Sequence, residues 1–279
     1  MSSGPSTGPA IDASVERRRR RLVAALGAVL AVAVIVAAIF APGGSDTGKT
    51  KVSAATKATV AAIEAGLPRD GILHWTATQD QPHVPGATGD GPSHTTIDQW
   101  TDLRTHASHV ALVATSRNGS GSHLEAWFDG SRTAWTSSGT GAPKGLHKTV
   151  VYKVVYPKPM PSSLPSPVAQ LRTVLDAVST GRASVADGTP SNGIPTSVVH
   201  QRTADTDGTF TILRSTPPQV IEQVGDVLRP AAARTHVTTK TTGWRLFPRD
   251  DATARSHVDA RFDPARYDVQ PQLGTATTP

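Results

Sequence analysis

Ile72-Leu73-His74-Trp75-Thr76-Ala77-Thr78 is the stretch on which the fold turns. Leu73, Trp75 and Ala77 alternate with His74, Thr76 and Thr78, a period of two that places the first set on one face of a strand. Just upstream, Val52 to Ala65 is alanine-rich, lacks that alternation and is closed by Gly66 and Pro68, which predicts a helix. The change of period at residue 72 marks the start of a sheet.

Downstream the alternation persists. Gln79 to Ser93 holds three Pro and three Gly and is expected to be a loop. His94 to Thr101 and Ala107 to Ser116 read as strands, and the apolar run Val110 to Ala114 predicts cover on both faces. Arg117 to Gly121 is a turn by composition. Leu124, Ala126 and Phe128 then lead to Asp129-Gly130, a hairpin signal before Arg132 to Thr136. Thr149 to Tyr156 puts Val150, Tyr152, Val154 and Tyr156 on one side of a further strand.

Helical periodicity returns at Val168, Leu171, Val174, Leu175 and Val178, started by Ser166-Pro167 and stopped by Gly181. Another helix is expected over Gln219 to Leu228, with Thr216 and Gln219 as a capping box. Strands are expected near Ser197–Thr203 and Thr209–Leu213, joined near Asp207-Gly208. Two more follow at Thr235–Phe247 and Ser256–Phe262, before Asp263-Pro264. About ten strands with three helices between them predict an α+β fold. A large antiparallel sheet of that size twists and curls into a half-barrel, with the helices packed on its concave face.

Working outward to the N-terminus, Leu22 to Ala41 is twenty residues without a polar side chain. As a helix it spans ~30 Å, the thickness of the hydrocarbon layer. Arg17, Arg18, Arg19, Arg20 and Arg21 abut its start, which by the positive-inside rule holds residues 1–21 in the cytoplasm and places the rest outside the cell membrane. A cleaved signal peptide has a shorter apolar region of ~7–15 residues and a small-x-small site. Here Ile39 and Pro42 spoil the site ending at Ala41, so an uncleaved single-pass anchor is expected. The expected organisation is a disordered cytoplasmic segment 1–21, the span 22–41, a polar linker 42–51, an extracytoplasmic domain 52–270 and a tail 271–279.

Composition narrows the function. The chain of 279 residues has no cysteine, which excludes disulfide scaffolds, thiolate metal sites and a lipid-modified cysteine. Its net charge of +6 is mostly the arginine tract; outside residues 1–41 there are 23 Lys+Arg against 20 Asp+Glu, so no nucleic-acid partner is expected. Gly43 to Thr50 matches the phosphate-loop pattern G-x-x-x-x-G-K-[ST], but a membrane span stands where the motif needs a buried strand. It reads as linker. His106 and His109, with His94, straddle a predicted turn and strand start and do not form a convincing metal site. No nucleophile elbow is present, and Asp250-Asp251 reads as a solvated loop. A noncatalytic protein without cofactor is expected. All five tryptophans, at 75, 100, 127, 135 and 244, fall on predicted strands, where they fill space between sheet and helices or line an apolar cavity.

The basic tract, the single span and the alanine-rich helix lead into Ile72-Leu73-His74-Trp75. Trp100, the Trp127-Phe128-Asp129-Gly130 hairpin and the Arg261-Phe262-Asp263-Pro264 ending follow. This arrangement resembles the extracytoplasmic domains of actinobacterial single-pass proteins with LolA/RseB-like half-barrels. The resemblance implies a binding or sensor protein whose concave face holds an acyl chain or lipoprotein, or a regulatory module that acts through a partner membrane protein. On this reading Leu73, Trp75, Val150, Tyr152 and Val154 from strands, and Leu171, Val174 and Leu175 from the helix, face the ligand. Two features depart from the family: there is no cysteine for lipid modification, and residues 1–21 are too short for a cytoplasmic anti-sigma domain.

Overall fold

A computed structural model describes residues 51–81, 92–116, 121–128, 133–140, 150–155, 166–202, 206–227, 235–259 and 268–270. The expected membrane span, arginine tract, phosphate-loop match, Asp263-Pro264 stop and C-terminal tail lie outside these residues, as do residues 117–120 of the expected Arg117 to Gly121 turn, whose Gly121 opens a strand. Among the described residues no helix is long and apolar enough to cross a membrane.

Helix α1 runs Ala54–Gly66, capped by Ser53, whose hydroxyl accepts from the Thr56 amide at 3.0 Å. Asp70 and Gly71 then turn the chain into β1 (Ile72–Asp80). Gly71 has φ +107, and a Cβ there would stand 2.8 Å from the Phe247 carbonyl, so only glycine fits. Strands β2 (Pro92–Asp102), β3 (Ser108–Ser116), β4 (Gly121–Phe128), β5 (Thr133–Thr140) and β6 (Val150–Val155) follow as a meander. Helix α2 (Pro167–Ser179) comes next, with Ser166 as cap and Pro167 in its first turn. Gly181, at φ +74, ends it: its amide and that of Arg182 return to the carbonyls of Val178 and Ala177. Then come β7 (Ala183–Ser191), β8 (Ile194–Arg202), β9 (Thr206–Leu213), β10 (Gln219–Val227) and β11 (Thr235–Phe247). Helix α3 (Ala252–Val258) and β12 (Asp268–Gln270) complete the order.

All strands join one sheet in the order β12-β6-β5-β4-β3-β2-β1-β11-β10-β9-β8-β7. Nine of them, from β4 across to β7, form an unbroken antiparallel run. Strands β5 and β6 continue that pattern, and β12 adds to β6 in parallel. The fold is α+β: an antiparallel sheet with three helices.

Three expectations are corrected. Where the helix expected over Gln219–Leu228 is described, Gln219–Val227, it is not a helix but strand β10, paired with β9 and β11. Its Val220, Ile221, Val224 and Val227 satisfy helical spacing, yet they are β-branched and two neighbouring strands offer them ladders. Thr216 is therefore no helix cap. Ser256–Phe262 is not a strand as far as it is described: residues 252–258 are helix α3, capped by Asp251 through the Ala254 amide at 2.9 Å. Asp207 and Gly208 lie inside β9, opposite Arg202 and Gln201, rather than in a turn. The sheet also contains β7, which has too little apolar alternation to be expected from sequence.

Successive residues of β1 separate the two faces. Leu73, Trp75 and Ala77 belong to a core cluster that includes Val110, Leu112 and Val168 of α2. Ile72 points the other way, into a cluster with Ala254 and Val258 of α3. Thus α2 covers one face and α3 the opposite face, whereas the sequence placed all helices on one. A second and larger cluster on the α2 face joins α1, α2 and strands β8 to β11: Val60, Ile63, Leu171, Leu175, Phe210 and Val237 are among its members.

Candidate functional site

Of the side chains expected to face a ligand, the structure brings two groups to the α2 face. Leu171, Val174 and Leu175 are at most 1% exposed, packed with Phe210 and Ile212. Leu73 and Trp75 are buried in the neighbouring cluster. They are tied to the sheet by a polar relay as well as by packing. The Trp75 indole donates to Thr241 Oγ1 at 3.0 Å, and Thr241 donates to the Val220 carbonyl at 2.6 Å. Val150, Tyr152 and Val154 lie on β6, whose backbone pairs with β5 and β12, but their side chains are outside the described residues.

A belt of neutral polar side chains crosses the covered face. Thr95, Gln79 and Thr239 stand opposite one another on β2, β1 and β11, and Thr239 stands opposite Gln223 on β10. All four are buried. Gln223 donates to Gln170 of α2 at 3.1 Å, while Gln79 Oε1 is buried without a partner. An unpaired buried amide oxygen costs ~1–3 kcal/mol. No apolar periodicity announces these residues, so sequence reasoning missed them.

The opposite face is built differently. His74, His94, His109, His200 and His236 each bond a carboxylate on the adjacent strand, Asp98, Asp80, Glu125, Asp207 and Asp226, at 2.7–3.1 Å. Among the described residues no three of His, Cys, Asp and Glu converge as a metal-ligand set. Trp100 is stacked between His74 and His257, with ring centroids 3.9 and 4.1 Å away. Beside this stack Asp102 is fully buried, and one of its oxygens accepts from Arg249 and Arg255 at 3.0 Å each. Burial alone would push the Asp102 carboxyl up. The Thr105 and Arg104 amides and the Arg249 guanidinium outweigh it, so the carboxyl is held below its ordinary value of 3.8. Arg255 is shifted up, chiefly by its hydrogen bond to Asp259. These charges clamp α3 to the sheet.

Among the described residues, one open feature is a groove of about 400 Å³ between the start of α1, the last turn of α2 and strands β7 and β8. Val52, Val178 and Val185 give it an apolar floor, where Val178 and Val185 continue the larger core cluster toward the surface. Lys51, Arg182 and Arg202 stand on its walls. Arg182 is committed to Asp176 at 2.7 Å and to Thr180 Oγ1 at 2.9 Å. Arg202 lies 3.9 Å from Asp207, whose other oxygen is held by His200 at 2.7 Å. An apolar floor with cationic walls suits an amphiphile with a negative end, and the volume falls in the ~300–1,000 Å³ range of small-molecule sites. The residues that form it come from three separated segments, none carrying a motif.

No protein-family model matches the chain, and no curated protein matches it. Solved structures of PNGF-II in two crystal forms are distantly similar. The P21 form gives 7% identity and a TM-score of 0.26 over 72% of this chain and 32% of that one. The C2 form gives 5% identity and a TM-score of 0.25, with 72% and 31% covered. This chain therefore spans about a third of the length of those structures.

Proposed function

We propose that this chain is a membrane-anchored extracytoplasmic binding protein without catalytic activity. Its sheet acts as a half-barrel that holds an apolar ligand, an acyl chain or the lipid part of a lipoprotein, beneath α1 and α2. One observation carries the reading: the aliphatic core under the helices reaches the surface at the groove floored by Val52, Val178 and Val185. Each CH₂ removed from water there contributes ~0.8 kcal/mol, so a chain of modest length is retained without any specific polar contact. The test is native mass spectrometry of the full chain released from detergent micelles. An acyl-bearing adduct that leaves on denaturation is expected, and its loss in Val185→Trp would place it in the groove. A clean apo mass across lipid classes would overturn the reading.

A regulatory interaction module is the second reading, favoured by β7. This strand stands at the end of the sheet with β8 as its neighbour, and such an edge can accept a strand from a partner membrane protein. Crosslinks from β7 to another protein in intact membranes, together with an apo mass, would favour this reading over the first.

A further inference from the structure

We infer that the cationic groove is a docking point for the phosphate of an anionic phospholipid in the same bilayer that carries the anchor. The inference rests on the anchored, outward-facing reading above, but not on ligand capture under the helices. Three observations meet at this place. First, the groove holds three cations, Lys51, Arg182 and Arg202, and the acids that touch them are Asp176 and Asp207, the latter shared with His200. The balance is positive, and its two exposed cations are loosely held. Arg202 has 69% of its side chain exposed and a contact of only 3.9 Å, whereas no bond to Lys51 is seen among the described residues.

Second, the floor is apolar. A free inorganic anion gains nothing from Val52, Val178 and Val185, whereas the glycerol and first methylenes of a lipid do. Third, Lys51 and Val52 are the residues at which the tether arrives. Nine residues, 42–50, separate the expected span from Lys51. Nine residues span at most roughly 32 Å even when fully extended, so the groove is held within reach of the headgroups at high effective concentration. Three basic side chains near an anionic surface are each attracted to it, and a phosphate replaces the weak Asp207 contact of Arg202 with a charge-assisted one.

The experiment uses the full chain in nanodiscs of phosphatidylcholine alone or of phosphatidylcholine mixed with phosphatidylglycerol. The readout is backbone hydrogen exchange over 51–56 and 181–186. Roughly tenfold slower exchange of both segments is expected in the anionic discs, given the attraction of a few basic residues to an anionic surface. High salt should reverse it, as should Lys51→Glu with Arg202→Glu, with unchanged protection in α2 reporting an intact fold. Equal exchange in the two discs, or protection that survives the double substitution, would overturn the inference. So would the same protection in neutral discs on adding inorganic phosphate, which would make the groove a site for free anions. Ligand capture is scored separately by the mass adduct, so either idea can fail while the other stands.

Discussion

Helices α2 and α3 lie on opposite faces of one sheet and are held there by different physics. Helix α2 places Val168, Leu171, Val174, Leu175 and Val178 against the sheet, all essentially inaccessible, and only Gln170 of its buried side chains bonds a strand side chain, through Gln223. Helix α3 is seven residues long and buries only Ala254 and Val258. What fixes it is the buried Asp102, reached by Arg255 from the helix and Arg249 from the preceding turn, and the stacking of His257 on Trp100. Apolar burial is nondirectional and tolerates small shifts; a buried carboxylate with two guanidinium partners demands its geometry. The groove lies at the α2 end, where the sheet is covered by apolar area.

The comparison can be broken most forcefully at α2. Leu175→Asp places a carboxylate in the aliphatic cluster without a partner and should cost more than ~4 kcal/mol, leaving little folded chain. A cooperative melt within a few degrees of the parent would show that α2 is not seated as described. Next is Asp102→Ala, which takes the shared buried acceptor from two partly exposed arginines and should cost about 2 kcal/mol by urea unfolding. Its pH dependence sharpens the contrast. Because the folded carboxyl lies below 3.8, its contribution is fully present above that value and is lost as pH falls through the lower folded value. The stability gap between parent and Asp102→Ala should therefore close on acidification, whereas the gap for Leu175→Ala should persist. Smaller still, His257→Ala removes one ring from the Trp100 stack and should cost about 1 kcal/mol, read as faster hydrogen exchange in α3. Lys49→Ala should change neither stability nor nucleotide binding; ATP binding lost in that variant would reinstate the phosphate-loop match.

Legibility follows the same division. The α2 stripe, its Ser166-Pro167 start and its Gly181 stop were readable because each signal lies within a few residues of what it controls. So were β1, whose alternation is local, and β3, whose apolar run Val110 to Ala114 is equally local. Helix α3 was misread since Val258, Ala260 and Phe262 mimic a strand, and the bonds that favour a helix come from Asp102, some 150 positions earlier. Strand β10 was misread for the converse reason: isolated from β9 and β11, its apolar spacing fits a helix. The groove was invisible because Lys51, Arg182 and Arg202 meet only after β7 and β8 are laid beside the two helices.

The amino-acid sequence by itself determined the class of the fold: an α+β domain dominated by antiparallel strands, with two faces separated by a period of two. Those properties depend on side-chain polarity and backbone preference over a few residues. Tertiary structure alone decided which face each helix covers, which charges are buried and where the core opens. These depend on pairings between residues far apart in the chain, such as Trp75 with Thr241, 166 positions away, whose free energy exists only once the chain has closed the loop between them.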